Sequence, residues 1–206
     1  LKARQPGLLT IIVPRHPDRG VAIAAELSAE GLAVSRRSAG DQLDDKTDVY
    51  LADTLGELGL FYRLAGIAFM GKSLVPLGGQ NPLEALHLDC AVLHGPHMMN
   101  FTEIGKDMAA AGCGLEVADR AALATGVGAL LDDRARAAGM AEKGRAYASS
   151  SADVIGPRSA ARASAAERIA AGSAAVIGSD VVMSATMPDN GADPGAGREM
   201  SGPNCH

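Results

Sequence analysis

Gly71, Gly78 and Gly79 lie in one turn, at residues 71–81, that runs straight into a helix start at Asn81-Pro82-Leu83-Glu84. Glycine tolerates backbone conformations closed to residues with a side chain, so main-chain N–H groups in this turn can approach an anion closely. The chemistry this supports is phosphate binding. Asn81 is a favoured N-cap, Pro82 suits the first helical position, and Glu84 falls at the third position of a capping box. Two readings stand side by side: Asn81 and Glu84 cap each other, or Glu84 accepts hydrogen bonds from ligand hydroxyls. Exposed amides, a helix start and a fixed carboxylate together match what a bound nucleotide sugar needs.

Other candidate residues are spread along the chain. Arg15 follows the apolar run Leu8–Val13, where a guanidinium can reach phosphate through charge-assisted bonds, with His16 beside it. Thr54 and Glu57 have the spacing of an N-cap and its capping-box partner. Phe61 and Tyr62 share helical register with Leu55 and Leu58, which assigns them to the core. His97 and Asn100 follow the apolar run 90–93, where contact with a ligand and fixing of the loop are equally supported. Cys90, Cys113 and Cys205 lack metal-ligand spacing, and three cysteines do not form a disulfide framework, so a reducing compartment is favoured.

These residues are set among alternating short apolar runs and helical patterns up to about residue 148. Strands are predicted at 8–13, 33–38, 49–53, 66–70, 90–93 and 115–117, and helices at 18–30, 55–64, 82–88, 102–111 and across 119–147. Such alternation implies a mostly parallel sheet covered on both faces, with ligands bound beyond the carboxyl ends of its strands. The loops after Val13, Leu51, Met70 and Leu93 are where polar residues gather. Residues 149–206 differ: half are Ala, Ser or Gly, and none is aromatic. A helix over 160–171 and a strand over 176–183 are predicted there, with disorder over 188–206.

With 206 residues and 47% hydrophobic content the chain can bury a substantial core. Its net charge of -5 argues against a general nucleic-acid binder, whose surface would be basic. No apolar run is long enough to span a membrane. The chain starts at Leu1 and reaches its first strand almost at once, which predicts a segment of a longer product.

Four motifs occur in order: Val13-Pro14-Arg15-His16-Pro17, then Asp53-Thr54-Leu55-Gly56-Glu57-Leu58 with Phe61-Tyr62, then residues 73–84 (Ser-Leu-Val-Pro-Leu-Gly-Gly-Gln-Asn-Pro-Leu-Glu), then Gly95-Pro96-His97-Met98-Met99-Asn100-Phe101. Together they resemble the C-terminal half of 3-deoxy-D-manno-octulosonic acid (Kdo) transferases, over about residues 6–147. The resemblance implies a GT-B glycosyltransferase, in which two Rossmann-like domains face each other across a cleft. Its C-terminal domain is an α/β fold, a parallel sheet with helices on both faces. Residues 1–148 are then expected to form that nucleotide-sugar-binding domain, incomplete at its N-terminal edge, and 149–206 a partly helical or disordered tail.

The donor so implied is CMP-Kdo, with no metal and no cofactor. The acceptor is a lipid A precursor, lipid IVA, at the cytoplasmic face of the bacterial inner membrane, where the parent enzyme would be peripheral or anchored. By resemblance Arg15, Gly56, Ser73, Gly78, Gly79, Asn81 and Glu84 would hold the donor, with His16, Lys72, Gln80, His97 and Asn100 close to it. The general base and the acceptor groove belong to an N-terminal domain, so the chain alone is expected to bind donor weakly or not at all, and not to turn over. Lys72, Gln80 and Ala85 stand where the family usually has glycine, histidine and proline. The same residues leave open another GT-B enzyme, a UDP-sugar transferase or epimerase, and a non-catalytic nucleotide-binding module.

Overall fold

A computed structural model of the chain describes residue 5, residues 7–151 and residues 181–186. Among these residues the strands are β1 (Leu8–Val13), β2 (Val34–Arg36), β3 (Val49–Leu51), β4 (Ile67–Met70), β5 (Ala91–His94), β6 (Gly114–Glu116) and β7 (Val181–Thr186). The α-helices are α1 (Gly20–Ala29), α2 (Leu58–Leu64), α3 (Leu83–His87), α4 (Thr102–Ala111), α5 (Arg120–Asp132) and α6 (Arg134–Ser151). The strands form one sheet in the order β2-β3-β1-β7-β4-β5-β6.

Mostly apolar runs make β1, β3, β4 and β5 because both faces of the sheet are covered there. Alternate side chains of β1 enter different cores. Leu9 and Ile11 join Phe61, Tyr62, Leu86, Val92 and Met108 under α2, α3 and α4. Leu8 and Ile12 join Leu51, Phe69, Leu93, Leu123 and Leu130 under α1 and α5. Phe61 and Tyr62 are 2% and 1% exposed, which bears out their assignment to the core. Burying each ring contributes on the order of 2–3 kcal/mol. The expected α/β sheet with helices on both faces is therefore present, and its strand pairs are parallel except those made by β7.

Several element boundaries differ from expectation, each for a local reason. The helix expected from residue 55 starts at Leu58, because Gly56 is in a left-handed conformation (φ 81°). No capping box forms there: Thr54 donates to the Glu57 carboxylate instead of capping an amide. At α3 the N-cap is Pro82, one residue later than expected: Asn81 Oδ1 accepts the Leu83 N–H at 3.0 Å in a turn that leads into the helix, and Glu84 does not reach back to form a capping box. The region 119–147 is two helices, α5 capped by Asp119 on the Ala122 N–H and α6 opened by Asp133 on the Arg136 N–H.

The strand expected at 176–183 is found at Val181–Thr186, in the centre of the sheet and antiparallel to both neighbours. A boundary drawn at 148 leaves that central strand on the tail side. The helix expected at 160–171 and the disorder expected at 188–206 lie outside the described residues.

Candidate functional site

The candidate residues reach one edge of the sheet because each follows the carboxyl end of a parallel strand: Arg15 and His16 after β1, Gly56 after β3, the glycine turn after β4, and His97 and Asn100 after β5. Order β3-β1-β7-β4-β5 then places the Arg15 loop and the glycine turn on either side of β7. They meet across it: Arg15 Nη1 donates to Gln80 Oε1 at 3.3 Å.

The glycine turn is built against the loop after β5. Gly78 and Gly79 have φ of 87° and 73°, the left-handed region that favours glycine. A Cβ on Gly78 would lie 2.3 Å from Asn100 Nδ2, and one on Gly79 would lie 2.5 Å from Met98 Sδ. The Asn100 amide donates to the Gly78 carbonyl at 3.3 Å. Ser73 locks the base of both loops. Its fully buried hydroxyl donates to the Met70 carbonyl and accepts the Gly95 N–H at 2.7 Å, and its carbonyl accepts the His97 N–H at 2.9 Å. The Ser73 side chain is thus used up inside the protein and serves the site by holding two loops together.

Glu84 is differently placed. Its carboxylate lies over α2, 3.3 Å from where a Cβ on Gly59 would stand, and among the described residues it has no hydrogen-bond or ion-pair partner. Partial burial pushes its pKa up from the ordinary carboxylate value. It is an acceptor left without a donor, on the first turn of α3. Lys72 has φ 63°, a conformation glycine takes without strain, and its ammonium makes no hydrogen bond or ion pair among the described residues.

The loop after β3 is pinned at both ends by arginines that sequence reasoning passed over. Arg36 donates through Nη2 and Nε to Asp53 Oδ2, at 2.7 and 3.0 Å, and the Ser38 amide and hydroxyl complete the carboxylate's partners. Burial acts to raise the Asp53 pKa, but these donors outweigh it and hold the carboxyl below its usual range. Arg37 grips Glu57 through two bonds, at 2.6 and 3.1 Å, and keeps its pKa low as well. Between the anchors Leu55 stands 80% exposed and Gly56 has open space around it. The two acids are thereby structural, and the loop presents its middle. An adjacent Arg-Arg pair at the end of a predicted strand was the available signal.

Leu77 and Met99, both 61% exposed, and Val75 give the same edge an apolar rim with Leu55. His16 is exposed and its carbonyl accepts the Arg19 N–H, with no bond to the other candidates. His94, buried at the end of β5 with Nδ1 on the Gly95 carbonyl, was also missed. Two shallow cavities lie elsewhere, one beside Gly114 and Lys143 and the other beside Gly66 and Arg134. Among the described residues no group of three or more His, Cys, Asp or Glu could hold a metal ion, and no helix is long and apolar enough to cross a membrane. Cys90 and Cys113 are buried free thiols, with burial pushing Cys90 up to about 12.

No protein-family model matches the chain. The fold does match a solved structure, the C-terminal CMP-Kdo binding domain of WaaA from Acinetobacter baumannii, with a TM-score of 0.63 and 32% identity over 66% of this chain and 71% of that one. The chain belongs to the Kdo transferase family. The 3-deoxy-D-manno-octulosonic acid transferase of Bordetella pertussis is 41% identical over 147 residues, which is 71% of this chain and 34% of the relative. That of Haemophilus influenzae is 42% identical over 135 residues, 65% of this chain and 32% of the relative. The chain thus spans about a third of the length of these Kdo transferases. The α/β fold is that of the family's C-terminal domain, and the resemblance carried by the four motifs is borne out.

Proposed function

We propose that this chain supplies the donor-binding half of a glycosyltransferase that moves Kdo from CMP-Kdo to a lipid A precursor in lipopolysaccharide biosynthesis. The observation that carries this reading is the gathering, beyond the carboxyl ends of neighbouring strands, of Arg15 bonded to Gln80 and a glycine turn with two left-handed glycines, followed by a Glu84 that has no partner among the described residues, in a chain similar to a solved CMP-Kdo binding domain.

The roles follow from chemistry at each position. Arg15 and the amides around Gly78 and Gly79 stabilise the phosphate, whose charge grows as CMP departs. Glu84 accepts hydrogen bonds from the ribose hydroxyls, for which its missing partners and raised pKa leave it suited. Backbone groups near Gly56 border the base, on a loop held by Arg36 and Arg37. Asn81 holds the turn that leads into α3, while His97 and Asn100 face the sugar side, with His16 and Lys72 near the phosphate. Ser73 acts only through the loops it joins. The general base belongs with the acceptor groove to the remainder of the parent enzyme, so this chain alone does not turn over.

The apolar rim of Leu55, Val75, Leu77 and Met99 suits burial against that remainder. The parent would work at the cytoplasmic face of the inner membrane, and residues 1–148 form the nucleotide unit together with β7. Titration of the chain with CMP and UDP, followed by amide chemical shifts, tests the reading. CMP is expected to shift the Gly78, Gly79 and Leu83 amides, weakly and in preference to UDP; a preference for UDP overturns the Kdo assignment in favour of a UDP-sugar enzyme.

A further inference from the structure

The sheet contains a seam that the site straddles. Strands β2-β3-β1 form one parallel group and β4-β5-β6 another, and among the described residues no ladder joins them except through β7. β7 pairs along the whole of β1, from Leu8↔Thr186 to Val13↔Val181, and along β4 at Ile67↔Ser184 to Phe69↔Val182. Both neighbours are buried on their two faces, so without β7 each would leave a row of unpaired backbone groups inside the protein.

The register also puts the beginning of β7 at the ligand-facing edge. Val181 is level with Val13, two residues before Arg15, and Val182 is level with Phe69, next to the last residue of β4. β7 therefore lies between the strand that leads to Arg15 and the strand that leads to Gln80, the two side chains that bond to each other at 3.3 Å.

We propose that Val181–Thr186 is the positioning strand of the nucleotide site: inserted in cis between β1 and β4, it sets the separation of the Arg15 loop and the glycine turn. This rests on the nucleotide reading above for its functional consequence, and on strand pairing alone for its structural part. A proline within β7 removes a ladder donor at the centre of a sheet, where it is not tolerated. The two groups of strands would then lose the ladder that fixes their separation and be held only through the two cores they share.

The test uses the whole 206-residue chain with Cys205→Ser. Thr10 and Ser184 are register partners, and an antiparallel pair brings Cα atoms to about 4.5–5.5 Å, within disulfide reach. Thr10→Cys with Ser184→Cys is expected to oxidise to an intramolecular bridge, and Thr10→Cys with Ala185→Cys, one residue out of register, is expected not to. Absence of the bridge in the first pair, or its formation between two copies, overturns insertion in cis.

Spin labels on Val21→Cys and Val75→Cys, both exposed and on opposite sides of the seam, then report the separation of the two groups without any nucleotide. A narrow distance distribution in the bridged protein and a broad one in its Met183→Pro counterpart support the positioning role; identical distributions overturn it. If Met183→Pro does not fold, the bridged protein is compared with its reduced form, and bridging must leave the distance unchanged and CMP affinity at least as high. Failure of the unsubstituted chain to bind CMP at all would strike the nucleotide reading while leaving the bridge and distance results to decide the strand's place.

Discussion

Substituting Gly95 by alanine probes the joint on which the site depends. Gly95 follows β5, and a Cβ there would lie 2.2 Å from the Ser73 carbonyl oxygen, 2.5 Å from its carbon and 2.7 Å from the Leu74 nitrogen. All three are backbone atoms, so no flexible side chain can yield, and the two loops must part by roughly 1 Å to reach ordinary contact. That movement breaks the Gly95 N–H bond to the Ser73 hydroxyl and the His97 N–H bond to the Ser73 carbonyl, at 2.7 and 2.9 Å. Each contributes about 1 kcal/mol, and more when its buried partner is left unsatisfied, so the loss is about 2–5 kcal/mol. In a domain of this size the melting temperature should fall by roughly 5–15 °C. Because Ser73 and Gly95 anchor the glycine turn and the His97 loop, CMP affinity should fall at least about tenfold, or roughly 1.4 kcal/mol. Gly56→Ala is the control: its φ of 81° carries only a backbone cost of about 1 kcal/mol, because nothing lies within 4 Å of the added carbon. Thermal unfolding with and without CMP reads both variants. If Gly95→Ala melts within a degree of the parent and binds CMP equally well, the two-loop joint is not what holds the site.

Other perturbations separate stability from binding. Lys72→Gly relieves a left-handed lysine at φ 63° and should stabilise the protein by about 1 kcal/mol in urea unfolding; no gain would mean the turn is unstrained. Glu84→Gln should leave the melting temperature unchanged or higher while weakening CMP binding, because the folded-state pKa is raised: the ionised carboxylate disfavours the free protein at neutral pH, and that penalty is relieved as pH falls. A fall in stability with CMP affinity intact would reverse the assignment. For Asp53 the sign is opposite. Its folded pKa is lowered, so its stabilisation is complete above the unfolded value near 4 and is lost as pH falls through the folded one. Asp53→Asn should cost about 3 kcal/mol at neutral pH and flatten the acid limb of the stability curve, whereas an unchanged limb would remove Asp53 as its source.

Much of this was legible from local pattern. The run Leu8–Val13 reads as a strand buried on both faces, Phe61 and Tyr62 read as core from their spacing, and Gly78 and Gly79 read as a turn needing positive φ. What stayed hidden depends on contacts between distant residues. The capping spacing of Thr54 and Glu57 is real, but Arg37, 20 residues away, captures the glutamate. Ser73 looks like a phosphate ligand by position, and only its complete burial between two loops shows that its hydroxyl is already engaged. The sequence signals a strand over 176–183, yet nothing in its residues states that the strand found at 181–186 runs antiparallel at the sheet centre. Direction and register are set by the slot between β1 and β4.

The most direct measurement of the central claim is a paired titration of the full chain with CMP and UDP, monitored at the Gly78, Gly79 and Leu83 amides and repeated with Arg15→Ala. The account predicts saturable shifts at these amides with CMP, weaker ones with UDP, and loss of most of the CMP response in Arg15→Ala. Folded protein that responds equally to both nucleotides, or binds CMP with Arg15 removed as well as with it present, would contradict it.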